Sequence, residues 1–139
     1  MKIVLVQGAF EIINYGHIRA FKRAKSEGDY LIVALNTNRL LKAYKGRDAV
    51  LPWSQKKAII ESIRYVDAVI PARYFSPLEL LKKHRVNVYC LTREWEDTKA
   101  KEIEYIRSIG GRVVFLPRYA GAIPTSEIKN RLLIEAANK

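Results

Sequence analysis

Apolar residues fall along this chain in short continuous runs, separated by segments whose hydrophobic residues recur at helical spacing. The runs at Ile3–Gln7, Tyr30–Asn36, Ala68–Pro71, Val86–Leu91 and Arg112–Leu116 are rich in β-branched residues. Continuous rather than alternating hydrophobicity predicts strands buried on both faces, as in a parallel sheet covered by helices. The segments Gly16–Glu27, Ser54–Tyr65, Pro77–His84, Asp97–Ile109 and Thr125–Asn138 are predicted helices. Some ends are punctuated. Ser76-Pro77-Leu78-Glu79 combines a capping box with proline at the first helical position. Gly28 and Gly110-Gly111 stop the helices before them. In the helix from Ser54, Ala58, Ile59, Ser62 and Ile63 form one stripe, expected to pack on the sheet. Thr37–Pro52 is the least regular stretch and is expected to be a long loop carrying Lys42, Lys45 and Arg47. Five strand–helix units in series predict a single α/β domain over residues 1–139, a Rossmann-like, doubly wound sheet of five parallel strands. A basic loop following a strand would lie at the ligand edge of such a sheet.

Composition narrows the function. The apolar runs are far too short to span a bilayer, and Met1-Lys2 followed by so short a run does not make a secretory signal. The one cysteine, Cys90, sits inside a strand-like run and is expected to be a buried core thiol. With no disulfide possible within the chain, a cytoplasmic location is expected. The formal net charge is +11. Such a charge suits either nucleic acid or an anionic small substrate. The lysines and arginines are spread along the chain, with no long run of like charge, no zinc-finger spacing and no basic stripe interleaved with aromatics. No nucleic-acid partner and no membrane partner are therefore expected.

The chemistry concentrates in Gly8-Ala9-Phe10-Glu11-Ile12-Ile13-Asn14-Tyr15-Gly16-His17. A strand stops, the chain turns through glycine, and a helix starts near His17. A helix start offers unpaired N–H groups and the positive end of the helix dipole, so it attracts phosphate. A histidine there can donate to a phosphate oxygen.

This stretch resembles the G-x-F-D-x-x-H-x-G-H signature of the nucleotidylyltransferase superfamily, and the chain as a whole is most similar to its small cytidylyltransferases of the glycerol-3-phosphate type. The resemblance runs from Lys2 to about Leu133. Gly28–Ala34 is similar to the family's second strand, Ile63–Pro71 to its I-R-Y-V-D-x-V-I segment, and Glu94-Trp95-Glu96 to its D-D-W-E-G loop. Val113–Arg118, Gly121 and Ile123–Ile128 are similar to its L-P-R-T-x-G-I-S-T-T-x-I closing motif.

The resemblance implies transfer of a nucleotidyl group, from CTP or, in adenylyl-transferring relatives, from ATP, to a phosphorylated alcohol. Mg²⁺ is the implied cofactor, held mainly by the nucleotide's phosphates, and a homodimer is implied. The nucleophile would be a phosphate oxygen, already ionised near neutral pH, so positioning and charge stabilisation carry the catalysis rather than a strong base. By the same resemblance, Gly8, Ala9, Phe10, Gly16, His17, Arg118, Thr125 and Ser126 bind the nucleotide. Lys45, Lys56 and Trp95 serve the acceptor, and His17, Asn14, Lys45 and Arg118 support the chemistry. The chain departs from the family pattern at Glu11 for aspartate, Asn14 for the first histidine, Lys56 for arginine, and Arg93 and Glu94 for an acidic pair. Asn38 also replaces an acidic residue, and Pro124 replaces a serine. Asparagine still donates a neutral hydrogen bond but cannot become cationic. These changes leave open a different nucleotide or acceptor, or a protein that binds nucleotide without turning it over.

Overall fold

A computed structural model describes residues 1–118 and 123–138 of the chain. Five parallel strands form one sheet: β1 (Ile3–Gly8), β2 (Tyr30–Asn36), β3 (Ala68–Ala72), β4 (Val88–Thr92) and β5 (Arg112–Leu116). Their order is β3-β2-β1-β4-β5, so the chain winds outward from β1 first to one side and then to the other. β1 is paired on one side from Ile3 opposite Tyr30 and on the other from Val4 opposite Val88. Pro71, which lacks an N–H, is tolerated because β3 is an edge strand.

The α-helices are α1 (Tyr15–Ser26), α2 (Asn38–Lys45), α3 (Trp53–Glu61), α4 (Leu78–Lys83), α5 (Ala100–Ser108) and α6 (Thr125–Ala137). A turn of 3₁₀ helix covers Arg93–Trp95. Alternate strand residues feed two cores. Val4, Val6, Leu31, Val33 and Cys90 pack with Phe21 and Ala24 of α1 and Ile60 of α3. Leu5, Ile32, Ala34 and Tyr89 pack with Leu81 of α4 and Ile103 and Ile106 of α5. The strands are thus buried on both faces, which is why their sequences are apolar throughout. Cys90 is in this core, and burial pushes its thiol up to about 12.

Three local expectations are corrected. The stretch 37–52 is not all loop. Thr37 Oγ1 accepts the N–H of Leu40 at 3.2 Å, which nucleates α2, and fully buried Leu41 anchors it. Gly46 then ends the helix with a φ of 71°. On α3 Lys56 and Ile60 are buried and Trp53 is partly so, Ile59 is exposed, and of the predicted stripe Ile63 packs on the core from beyond the helix, which stops at Glu61 rather than Tyr65. At α4 the Ser76 hydroxyl donates to Glu102 Oε1 (2.5 Å) and accepts from the Leu78 N–H (3.3 Å), so the helix begins at Leu78 without a full capping box. Gly121 of the closing motif lies outside the described residues. Among the described residues, no helix is long and apolar enough to cross a membrane.

Candidate active site

The sheet order reverses direction between β1 and β4, and in open α/β sheets ligands bind at the carboxyl ends of strands flanking such a point. A cleft of about 390 Å³ opens there. Its lining includes Gly8, Ala9, Phe10, His17, Lys45 and Trp95.

The floor is shaped by the turn after β1. Phe10 adopts a φ of 44°, which folds its ring back over Gly8. A β-carbon on Gly8 would meet the tip of that ring at 2.8 Å, so glycine lets the ring sit where it does and a larger residue would push it aside. The Phe10 ring stands edge-on to His17, with centroids 5.2 Å apart, and fixes its plane. Asn14 precedes α1 and caps it. Its Oδ1 accepts from the Gly16 N–H at 3.0 Å, while its own backbone N–H donates to His17 Nδ1 at 3.3 Å. That bond assigns the proton of neutral His17 to Nε2. Burial pushes the histidine below its ordinary value, partly opposed by a hydrogen bond with the Ile12 backbone.

The Asn14 amide also joins two distant parts of the chain. Its Nδ2 donates to the Ile12 carbonyl (3.0 Å) and to Thr125 Oγ1 (3.2 Å). The starts of α1 and α6 therefore meet at the cleft edge. Among the described residues no side chain caps α6, because Pro124 holds the capping position, and none of them supplies a side-chain acceptor to the N–H groups of Thr125 and Ser126 at its start.

Beneath this junction lies a charge cluster that the sequence does not reveal. Glu11 is 5% exposed. Arg47 grips its carboxylate in a fork (3.0 and 2.8 Å), Lys129 of α6 donates at 2.9 Å, and Lys45 Nζ lies at 3.9 Å. The Arg47 hydrogen bonds and then Lys129, against the opposing effect of burial, hold Glu11 at about 2. The cluster ties the turn after β1, the end of α2 and α6 together.

The structure brings Gly8, Ala9, Phe10, His17, Lys45 and Trp95 into one cleft, with Asn14, Gly16 and Thr125 at its rim. Arg118 stands apart. It lines an adjoining hollow of about 330 Å³ with Arg93, Phe115 and Pro117, and the two spaces share Thr92, Glu94 and Leu116 as walls. Arg93 lies over the Phe115 ring at 4.2 Å, so this departure from the family's acidic pair has a packing role. Lys56 does not line the cleft. It is 1% exposed on α3, its ammonium has no hydrogen-bond partner among the described residues, and burial pushes it below the usual lysine value while Glu11 opposes. Trp95 is 39% exposed and is a wall residue rather than core. Sequence reasoning missed Glu11 as a hub, together with Lys129, Lys99, Tyr44 and Phe75. The unusual density of cations around residue 45 was the one signal pointing that way.

A family model described as "Cytidylyltransferase-like" matches residues 5–131. The chain belongs to the cytidylyltransferase-like family. It is 36% identical over 133 residues to a glycerol-3-phosphate cytidylyltransferase of Staphylococcus aureus, an alignment covering 95% of this chain and 96% of that protein. It is 30% identical over 142 residues to an ethanolamine-phosphate cytidylyltransferase of Mus musculus, covering 97% of this chain and 34% of that one. Among solved structures, a lipopolysaccharide core biosynthesis protein from Thermoplasma volcanium superposes with a TM-score of 0.74 at 21% identity, covering 86% of this chain and 98% of the other. Family membership makes the protein an enzyme of the nucleotidyltransferase type, and the cleft at the strand ends is where that family's first motif falls.

Proposed function

We propose that this enzyme transfers a cytidylyl group from CTP to a phosphorylated polyol such as glycerol 3-phosphate. A phosphate oxygen of the acceptor attacks the α-phosphorus of CTP, the bond from that phosphorus to the bridging oxygen breaks, and pyrophosphate leaves. The observation that carries this reading is the meeting of two helix starts through the Asn14–Thr125 hydrogen bond, beside a cleft holding His17 and Lys45. The uncapped start of α6, together with the positive dipole ends of both helices, suits a chain of phosphates.

Each residue then has a role set by its chemistry. His17 donates from Nε2 to a phosphate oxygen as charge builds in the transition state. Lys45 adds a mobile point charge, steadied by Glu11. Thr125 and Ser126 present their N–H groups to the outer phosphates, and Asn14 holds α6 in place to do so. Arg118 in the adjoining hollow serves the nucleoside side. Mg²⁺ fits this site only as a companion of the nucleotide. Glu11 is already occupied by cations, and no cluster of three metal-binding side chains occurs among the described residues. When bound, the ion supplies neutralisation of phosphate charge.

The test is pyrophosphate release with each NTP and a panel of phospho-alcohols, run beside His17→Ala. Release with CTP and glycerol 3-phosphate, reduced about 100-fold or more by the substitution, is expected. Release with ATP alone would overturn the cytidylyl assignment. Nucleotide binding without release from any pair, by folded protein, would replace the enzyme reading with that of a binding protein.

A further inference from the structure

The cleft has a second group of lining residues that the transfer chemistry does not use. Tyr44, Phe75 and Trp95 stand in a row, with ring centroids 5.7 Å apart between the first pair and 5.5 Å between the second. Lys99 is also in the lining, yet only 7% exposed. Its ammonium donates to the Phe75 carbonyl and lies 3.6 Å from the centre of the Phe75 ring.

A row of aromatic rings in a substrate cleft is the usual receptor for an alkylammonium group, because ring faces attract cations. Here that place is filled by the chain's own cation. Several neighbouring groups offer hydrogen bonds. The Asn36 Nδ2 donates to the Tyr44 hydroxyl at 3.2 Å. The Gln7 Nε2 donates to Asn36 Oδ1 (2.9 Å) and to the Tyr74 carbonyl (3.0 Å), while Gln7 Oε1 is buried with no partner among the described residues. That oxygen needs a donor such as an alcohol hydroxyl. Two acids are near. Glu94, exposed in the cleft wall, already accepts from the Thr92 hydroxyl at 3.0 Å. Glu102 accepts from Ser76 and favours a charged Lys99, whereas burial pushes that lysine below its ordinary value.

Resting on the transferase reading above, we propose that Lys99 is a specificity-determining residue, which reserves the aromatic end of the cleft for acceptors with a hydroxyl-bearing tail and turns away those ending in an ammonium group. Gln7 Oε1 takes a hydroxyl proton of the tail, and the Lys99 ammonium donates to a hydroxyl oxygen. An amino-alcohol phosphate would bring a second cation against Lys99. Selection by repulsion of the wrong substrate is a common route to specificity.

The test compares glycerol 3-phosphate with phosphoethanolamine on the whole chain, as wild type, Lys99→Met and Lys99→Arg. Binding is read by titration calorimetry and turnover by pyrophosphate release with CTP. The wild type should favour glycerol 3-phosphate by about tenfold or more. Lys99→Met, which keeps the apolar stem but not the donor, should bring the two acceptors within about threefold, by tightening phosphoethanolamine and weakening glycerol 3-phosphate, and leave KM for CTP unchanged. Lys99→Arg should retain the wild-type preference. Equal binding of both acceptors by the wild type, or an unchanged ratio in folded Lys99→Met, would overturn the proposal. Should Lys99→Met fail to fold, the wild-type ratio and Lys99→Arg still decide. Turnover without discrimination sinks this inference and leaves the transfer reaction standing. Discrimination in calorimetry without turnover of any pair does the reverse.

Discussion

Replacing Glu11 with glutamine removes one charge from the cluster under the site and keeps the side chain's shape. The structure sets the expected cost. Glu11 is lowered from 4.5 to about 2, a difference equivalent to about 3 kcal/mol in favour of the folded state. Arg47 and Lys45 are 42% and 41% exposed, so water screens part of this and about 2 kcal/mol should remain. A carboxyl whose folded value lies below its unfolded one stabilises fully above the unfolded value and loses that contribution as pH falls toward the folded one. The gap between wild type and Glu11→Gln should therefore be full at pH 7, begin to shrink below 4.5, and close near about 2. Urea unfolding of both proteins at pH 7, 5 and 3.5 measures it. A gap under about 0.5 kcal/mol at pH 7, or one that stays constant down to pH 3.5, would refute the assignment of Glu11 as the hub.

Lys56→Met should raise stability in urea by about 1 kcal/mol or more, since a buried cation with no hydrogen-bond partner among the described residues gives way to an apolar chain of similar length. Because burial lowers Lys56, the wild type should gain stability as pH rises through its folded value toward 10.5, and Lys56→Met should lack that slope. Asn14→Ala should cost about 1 kcal/mol through the lost cap on α1. It should also speed amide exchange in the first turns of α6, where Thr125 loses its partner; unchanged exchange there would count against the tether. Cys90 is 1% exposed with its thiol raised to about 12, so a thiol reagent should label it only as fast as the protein opens. Rapid labelling in the native state would contradict the core assignment.

The strands were legible because burial on both faces forces continuous hydrophobicity, a purely local signal. Tyr30–Asn36 and Arg112–Leu116 match the predicted bounds, and the other strands differ by one or two residues at their ends. α2 was hidden for a physical reason. It buries only Leu41 and carries two lysines, so its pattern is that of a solvated basic segment. The stripe on α3 misled because a buried lysine, Lys56, occupies a place where periodicity seeks an apolar residue. At the site, Gly8, Phe10 and His17 share one turn and could be found from sequence. The Glu11 cluster could not, since Arg47 and Lys129 lie 36 and 118 residues away. The Asn14 substitution looked like a lost charge. In the structure it is a cap and a tether, a role that depends on where Thr125 arrives in space.

The tether has a consequence for how the protein comes into being. The sheet and its two cores are built from residues before 118, whereas the second helix start reaches Asn14 from 111 positions further along the chain. A nascent chain thus holds every residue of its hydrophobic interior before α6 can reach Asn14. A chain broken between the fifth strand and α6 would keep both cores and lose the tether, so on the proposed function the contacts that fill the interior and those that bring the second helix start to the cleft are supplied by separate parts of the sequence.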